Sequence, residues 1–195
     1  MKMLTLLNKK ELILHSEEQF ANAIAAKVID KPILSLWMIL IPVFFVFYFY
    51  KLKQFAEGRK AFVEHFMVTR QRTLEEAFAA VESDRKPDVN KIIKMSSAPE
   101  DTFRAYAQWI KVLAEHYQDL LKAKGEHLDA LVKATFKNRT NYLLTVNRLN
   151  EVEKGFNDAL KPHLYKNIES VDDIVTTIEQ WACKIRRQEA SRIFP

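Results

Sequence analysis

The stretch Ile33–Tyr50, ILSLWMILIPVFFVFYFY, holds eighteen residues without a charged side chain. As a helix rising 1.5 Å per residue it covers roughly 27 Å, against about 30 Å for the hydrocarbon core of a bilayer. Its edges suit the same environment. Trp37 lies near one end and Tyr48 and Tyr50 at the other, where amphipathic rings favour the headgroup level, and Lys51 and Lys53 follow at once. The length and the edges together predict one transmembrane helix over residues 32–51, with 1–31 as a juxtamembrane segment and 52–195 as a soluble helical domain. A buried core helix is the competing reading, but soluble cores seldom need so many consecutive aromatics.

The run begins 33 residues into the chain and is not followed by a small-residue cleavage pattern, so it is expected to stay as an anchor rather than to be removed as a signal. Pro42 at its middle lacks an N–H, which predicts a kinked span, with a re-entrant hairpin as the alternative. The run carries no ionisable group and no small-x-x-x-small pattern, so it offers nothing to a proton relay or ion path and would associate only through bulky aromatics. Lys51, Lys53, Arg59, Lys60 and Arg70 follow the run closely and only Lys27 and Lys31 precede it as closely. By the positive-inside rule this predicts a single-pass membrane protein with a cytoplasmic C-terminal domain.

Three glycines and six prolines leave little material for the many turns of an all-β domain, so the fold class expected is all-α. The formal net charge of +5 is dispersed along the chain and does not ask for nucleic acid. Cys183 is the single cysteine, which excludes an intrachain disulfide and a cysteine-based zinc site.

Residues 1–14 alternate apolar and polar side chains about Asn8-Lys9, as a hairpin or a short surface helix would. Ser16-Glu17-Glu18-Gln19 has the form of a capping box and predicts a helix start. Phe20, Ile24 and Val28 would give that short amphipathic helix a stripe for a membrane surface or a partner. Beyond the run, Phe55, Phe62, Phe66, Leu74, Phe78 and Val81 predict one helix closed by Pro87, with Thr73 to Glu76 as a possible restart. Asp88 would begin a short connector helix.

Ser97-Ala98-Pro99-Glu100 reads as a helix start, followed by the seam Phe103, Tyr106, Ile110, Leu113, Tyr117 and Leu120. After Gly125 the stripe resumes in another phase through Leu128, Val132, Phe136, Leu143, Val146, Leu149, Val152 and Phe156. The slip marks residues 122–126 as a kink in a continuous helix, the preferred reading, or as a tight turn. Pro162 is expected to stop this helix, and a last one to run from Ser170 through Ile174, Ile178, Trp181 and Ile185 to Lys184, Arg186, Arg187 and Arg192. One-sided helices bury their apolar sides against one another, so the fold expected is an elongated amphipathic helical bundle following the transmembrane helix, with coiled-coil-like seams.

The sequence carries no recognised catalytic spacing. His65, His116 and His127 each follow a glutamate, but His116 and His127 lie eleven residues apart, about 16 Å by rise on one helix. No Glu-x-x-His, His-Glu-x-x-His, phosphate-cradling glycine loop or nucleophile elbow occurs, so the histidines are expected at the surface and no catalytic, cofactor or metal residue is assigned. Cys183 reads as a small buried residue beside Trp181, and Asn138-Arg139-Thr140 as a chance glycosylation sequon in mid-helix. The function expected is that of a membrane-anchored accessory or scaffold protein, not an enzyme, which docks other proteins or itself through its helices and takes no cofactor. Two alternatives are a membrane-tethered ligand sensor or enzyme with a pocket near Trp109, His116, Tyr117 and Trp181, and an anionic-lipid-binding, membrane-organising protein.

Overall fold

A computed structural model of the chain describes residues 5–28, 55–164 and 171–195, and these form seven α-helices and one 3₁₀ turn, with no strand among them. The helices are α1 (Leu6–Val28), α2 (Phe55–Glu82), α3 (Val89–Lys94), α4 (Phe103–Lys122), α5 (Leu128–Phe136), α6 (Arg139–Leu164) and α7 (Val171–Ile193). The all-α expectation holds, and the described helices pack as a bundle. No helix among the described residues is long and apolar enough to cross a membrane. The transmembrane helix expected over 32–51 lies outside the described residues.

The N-terminal expectation needs correcting. α1 is one continuous helix, and Ser16 and Gln19 lie inside it, with Gln19 Nε2 3.0 Å from His15 Nε2. The cap sits eleven residues earlier, where the Thr5 hydroxyl accepts from the Asn8 N–H at 3.2 Å. A Ser/Thr residue three positions before a polar one marks either end of that stretch equally well, and burial decides between them. Ile13 is 2 % exposed against Leu74 and Ala77 of α2, so residues N-terminal to Ser16 gain more by joining the helix than Ser16 gains as a cap.

The stripe Phe20, Ile24, Val28 does not lie free for a membrane surface or partner either. Ala21, Ile24, Ala25 and Val28 are buried against Phe62, Phe66 and Met67 of α2 and Ile174, Ile178 and Ala182 of α7. α1 and α2 run antiparallel in a steady register. Lys10 pairs with Glu75 at 2.6 Å, Glu17 with Arg70 at 3.0 Å, and the Phe20 and Phe66 rings lie 6.0 Å apart.

α2 runs through Gly58 and Thr73 without a break; the Thr73 hydroxyl donates to the Thr69 carbonyl at 2.7 Å, as an interior helical threonine does. Asp88 caps α3 as expected, accepting from the Lys91 N–H at 3.0 Å. The next start falls two residues past Ser97. Pro99 leads a 3₁₀ turn, Glu100–Thr102, whose Thr102 hydroxyl donates to the Pro99 carbonyl at 2.7 Å, and α4 follows. Of its seam, Tyr106, Ile110, Leu113, Tyr117 and Leu120 are buried as read, and Phe103 is half-buried.

The kinked continuous helix is also corrected. α4 ends at Lys122, Gly125 lies in a tight turn where a Cβ would meet Ala130 Cβ and the Leu131 N at 2.9 Å, and α5 starts on the other side. A second break, unmarked by glycine or proline, falls at Lys137, whose φ of 67° closes α5 in the left-handed region. Asn138 then caps α6, accepting from the Asn141 N–H at 2.9 Å, so the sequon lies at a helix start and not in mid-helix.

The two breaks turn the chain back on itself. α6 lies antiparallel beside α4, with Phe156 5.0 Å from Tyr106 and Arg148 paired to Glu115 at 3.3 Å, so residues 97–161 form a folded hairpin rather than one long rod. Pro162 does not stop α6, which continues to Leu164. It falls in the last turn, where one lost ladder bond is cheap beside the burial of Leu164 at 1 % exposure.

Candidate functional site

The most unusual feature of the interior is ionic. On each of four helices a charged residue occupies a position in the apolar stripe: Glu17 between Ile13 and Ala21 on α1, Arg70 between Phe66 and Leu74 on α2, Glu153 between Leu149 and Phe156 on α6, and Arg186 between Ala182 and Ala190 on α7. Helical spacing of three and four therefore carries all four inward to one place.

Arg70, 1 % exposed, organises the group. Its Nε donates to Glu17 Oε2 at 3.0 Å and its Nη2 to Glu153 Oε1 at 2.6 Å. The other oxygen of Glu153 lies 2.9 Å from Arg186 Nη1, which also donates to Asn150 Oδ1. Aromatic faces enclose the cations: Arg70 sits 4.1 Å from the Phe66 ring centre and 5.5 Å from that of Trp109, and Phe20 lies between Arg70 at 5.5 Å and Arg186 at 4.7 Å. Trp109 in turn stacks on Phe156 at 5.5 Å.

The electrostatics follow. Burial alone would raise the Glu153 carboxyl, but the two flanking guanidiniums outweigh it and hold it at about 2. Burial would likewise lower Arg70, and Glu153 with Glu17 more than reverses this, so its pKa is raised. Arg70 and Glu153 are thus held ionised in a chain, Glu17–Arg70–Glu153–Arg186, whose formal charges alternate and balance, which is the condition under which buried charges are tolerated.

Beside this chain lies a cavity of about 50 Å³ between α1, α4, α5, α6 and α7, bordered by Glu17, His116, Tyr117, Tyr142, Arg186 and Glu189. His116 is mostly covered, stacked 5.7 Å from Phe136, with Nδ1 sealed from solvent and lacking a hydrogen-bond partner. Burial first, and the Arg186 charge second, lower it to about 4, so the ring is neutral at pH 7. The surface expectation for the histidines fails at this residue. Tyr117 is fully buried, and burial and then Glu17 push its ionisation up. Tyr142 is raised by burial and by Glu189, and Glu189 by burial and then Glu17. A neutral imidazole, two un-ionised phenols and a reluctant carboxyl are the polar points of a largely apolar lining with room for roughly three waters.

The sequence placed a pocket near Trp109, His116, Tyr117 and Trp181. The structure brings His116 and Tyr117 to the cavity and leaves the tryptophans out. Trp109 is packed on Phe156, and Trp181 lies half-buried between Lys27 at 4.9 Å and Lys184 at 4.3 Å. Cys183 is half-buried on the border of a separate groove with Ile178 and Ala182. His127 caps α5, its Nδ1 accepting from the Ala130 N–H at 3.2 Å, and His163 pairs with Asp101 at 3.0 Å. Among the described residues no group of three or more histidine, cysteine or carboxylate side chains is placed to hold a metal.

Reading the stripes by apolar residues alone missed Glu17, Arg70, Glu153, Arg186, Tyr142 and Glu189. The signal was present in the spacing, as in Val146, Leu149, Glu153, Phe156 and Leu160, where a charge stands in a heptad seam position. Comparison with known proteins finds no matching family model, no matching curated protein and no matching solved structure.

Proposed function

We propose that the chain is a membrane-anchored helical accessory protein, held to lipid by the uncharged run Ile33–Tyr50, which presents a rigid bundle to protein partners and catalyses no reaction. The observation that supports this reading is that the described helices nearest the run on either side, α1 and α2, share one core cluster. Val28 is fully buried, Phe62 and Phe66 pack against the same cluster, and α7 closes it with Ile174 and Ile178, so α1 and α2 are bolted to the core rather than tethered to it. A stiff connection is what a protein needs if its task is to hold partners at a fixed position over a membrane.

The Glu17–Arg70–Glu153–Arg186 chain supports the same reading. Buried ion pairs contribute little net stability but penalise helix registers that leave a charge unpaired, and a fixed register serves a docking platform. Because the apolar stripes are spent on the bundle's own core, partners meet the polar outer faces, where Leu7, Met95 and Leu144 are the large exposed apolar side chains among the described residues. Native purification from gently solubilised membranes, with cross-linking before lysis, tests the reading. A reproducible stoichiometric partner supports it, and a monomeric particle without cross-links contradicts it.

A second reading, a sensor, draws on the cavity beside His116. At about 50 Å³ it falls well below the roughly 300–1,000 Å³ of organic-ligand pockets, so the species sensed would be of the size of water or a small ion.

A further inference from the structure

A segment that crosses a bilayer once delivers its two ends to opposite sides, about 30 Å of hydrocarbon apart. The flanks of Ile33–Tyr50 do not stand in that relation. The register that sets Lys10 against Glu75, Glu17 against Arg70 and Phe20 against Phe66 brings the C-terminal end of α1 beside the N-terminal end of α2, where Val28 and Gly58 are both buried. α7 runs antiparallel to α1 against the same face, with Lys27 over Trp181 and Arg186 over Phe20. The end cluster of Ile24, Val28, Phe62, Phe66, Ile174 and Ile178 closes only when α1, α2 and α7 share one compartment.

We infer that α1 and α2–α7 lie on the same side of the membrane, and that the partner of this end of the bundle is a single lipid leaflet. This rests on the membrane reading proposed above and replaces the single crossing expected from the sequence. Eighteen uncharged residues suffice for one crossing and fall far short of the roughly 40 that two helical crossings need. The charge at this end agrees with headgroup contact: Lys27, Arg59 and Lys60 are exposed beside it, and Lys31, Lys51 and Lys53 bracket the run in the sequence.

The test is cysteine accessibility in sealed membrane vesicles carrying the full-length chain. In a Cys183→Ser background a single cysteine is placed at exposed Glu11 of α1 or exposed Glu151 of α6, and each is treated with a membrane-impermeant maleimide before and after permeabilisation. The inference expects the two sites to behave alike, both labelled in intact vesicles or both protected until permeabilisation. One labelled and one protected overturns it while leaving the anchor intact. Flotation of the same vesicles separates the two failures, because a chain that stays at the bottom of the gradient overturns the membrane reading and the inference with it.

Discussion

Arg70 and Glu153, 83 residues apart in the chain, meet at 2.6 Å in the centre of the bundle with the guanidinium 1 % exposed. The pair joins the two halves of the fold, since Arg70 belongs to the helix that follows the uncharged run and Glu153 to the helix hairpin that packs on it. Removing either partner strands a charge in the interior, whereas removing the whole set strands none.

Glu153→Ala therefore leaves both Arg70 and Arg186 short of their counter-charge and is expected to cost about 3–5 kcal/mol in stability. A combined replacement of the whole set, Glu17→Leu, Arg70→Met, Glu153→Leu and Arg186→Met, is expected to be close to neutral. Denaturant unfolding followed by circular dichroism distinguishes the outcomes; a quadruple variant less stable than the single one would refute the assignment of the set as mutually neutralising.

His116 sets a pH dependence of definite sign. Its pKa is about 4 in the fold, lowered from the ordinary 6.5, so between these values the unfolded chain takes up a proton that the folded one refuses. The neutral ring's advantage is fully present above 6.5, and stability falls as the pH drops from 6.5 towards 4, by up to roughly 3 kcal/mol for a shift of this size. Glu189, whose pKa is raised, works in the opposite direction above the ordinary carboxylate range. His116→Phe isolates the histidine: its stability between pH 4 and 6.5 should be flatter than that of the parent chain, and an unchanged slope would remove His116 as the cause.

Gly125 and Gly155 divide by their surroundings. At Gly125 a Cβ would stand 2.9 Å from the Leu131 backbone nitrogen, so Gly125→Ala forces the turn between α4 and α5 to open and should cost about 1–3 kcal/mol. Gly155 lies exposed on α6 with nothing within 4 Å of the same atom, so Gly155→Ala should stabilise by about 0.5–1 kcal/mol. Thermal unfolding of both variants checks the contrast.

Phe62 is fully buried in the cluster next to the uncharged run and stacks 5.6 Å from Phe66. Phe62→Ala should cost about 3–5 kcal/mol. Hydrogen exchange should quicken first at the C-terminal end of α1 and the N-terminal end of α7, the helices that share its cluster, while α4 and α6 stay protected. Uniform loss of protection would mean that the end cluster and the main core unfold together.

The stripe of α4 was legible because nothing competes with it: Tyr106, Ile110, Leu113, Tyr117 and Leu120 are apolar at every inward position. Asp88 was legible for a similar reason, a cap residue before a short apolar pair. The α1 start was not, since Thr5 and Ser16 offer the same local chemistry and the choice is made by Ile13 packing on α2, a contact between distant parts of the chain. The break at Lys137 was invisible because a lysine gives no sign of a left-handed backbone. In α6 the apolar pattern favours Val152 over Glu153, yet the structure half-exposes the valine and buries the carboxylate, whose charge is made tolerable by arginines on two other helices. Partners of that kind are written nowhere near the residue they rescue.

The membrane reading underlies the rest, and alkaline extraction of membranes from cells expressing the full-length chain tests it most directly. The parent chain should remain in the pellet, and a chain carrying Phe44→Arg and Phe47→Arg, each costing about 2.5–3.5 kcal/mol if held at the bilayer centre, should appear in the supernatant with its helical circular dichroism retained. Release of the parent chain as a detergent-free, helical monomer would contradict the account.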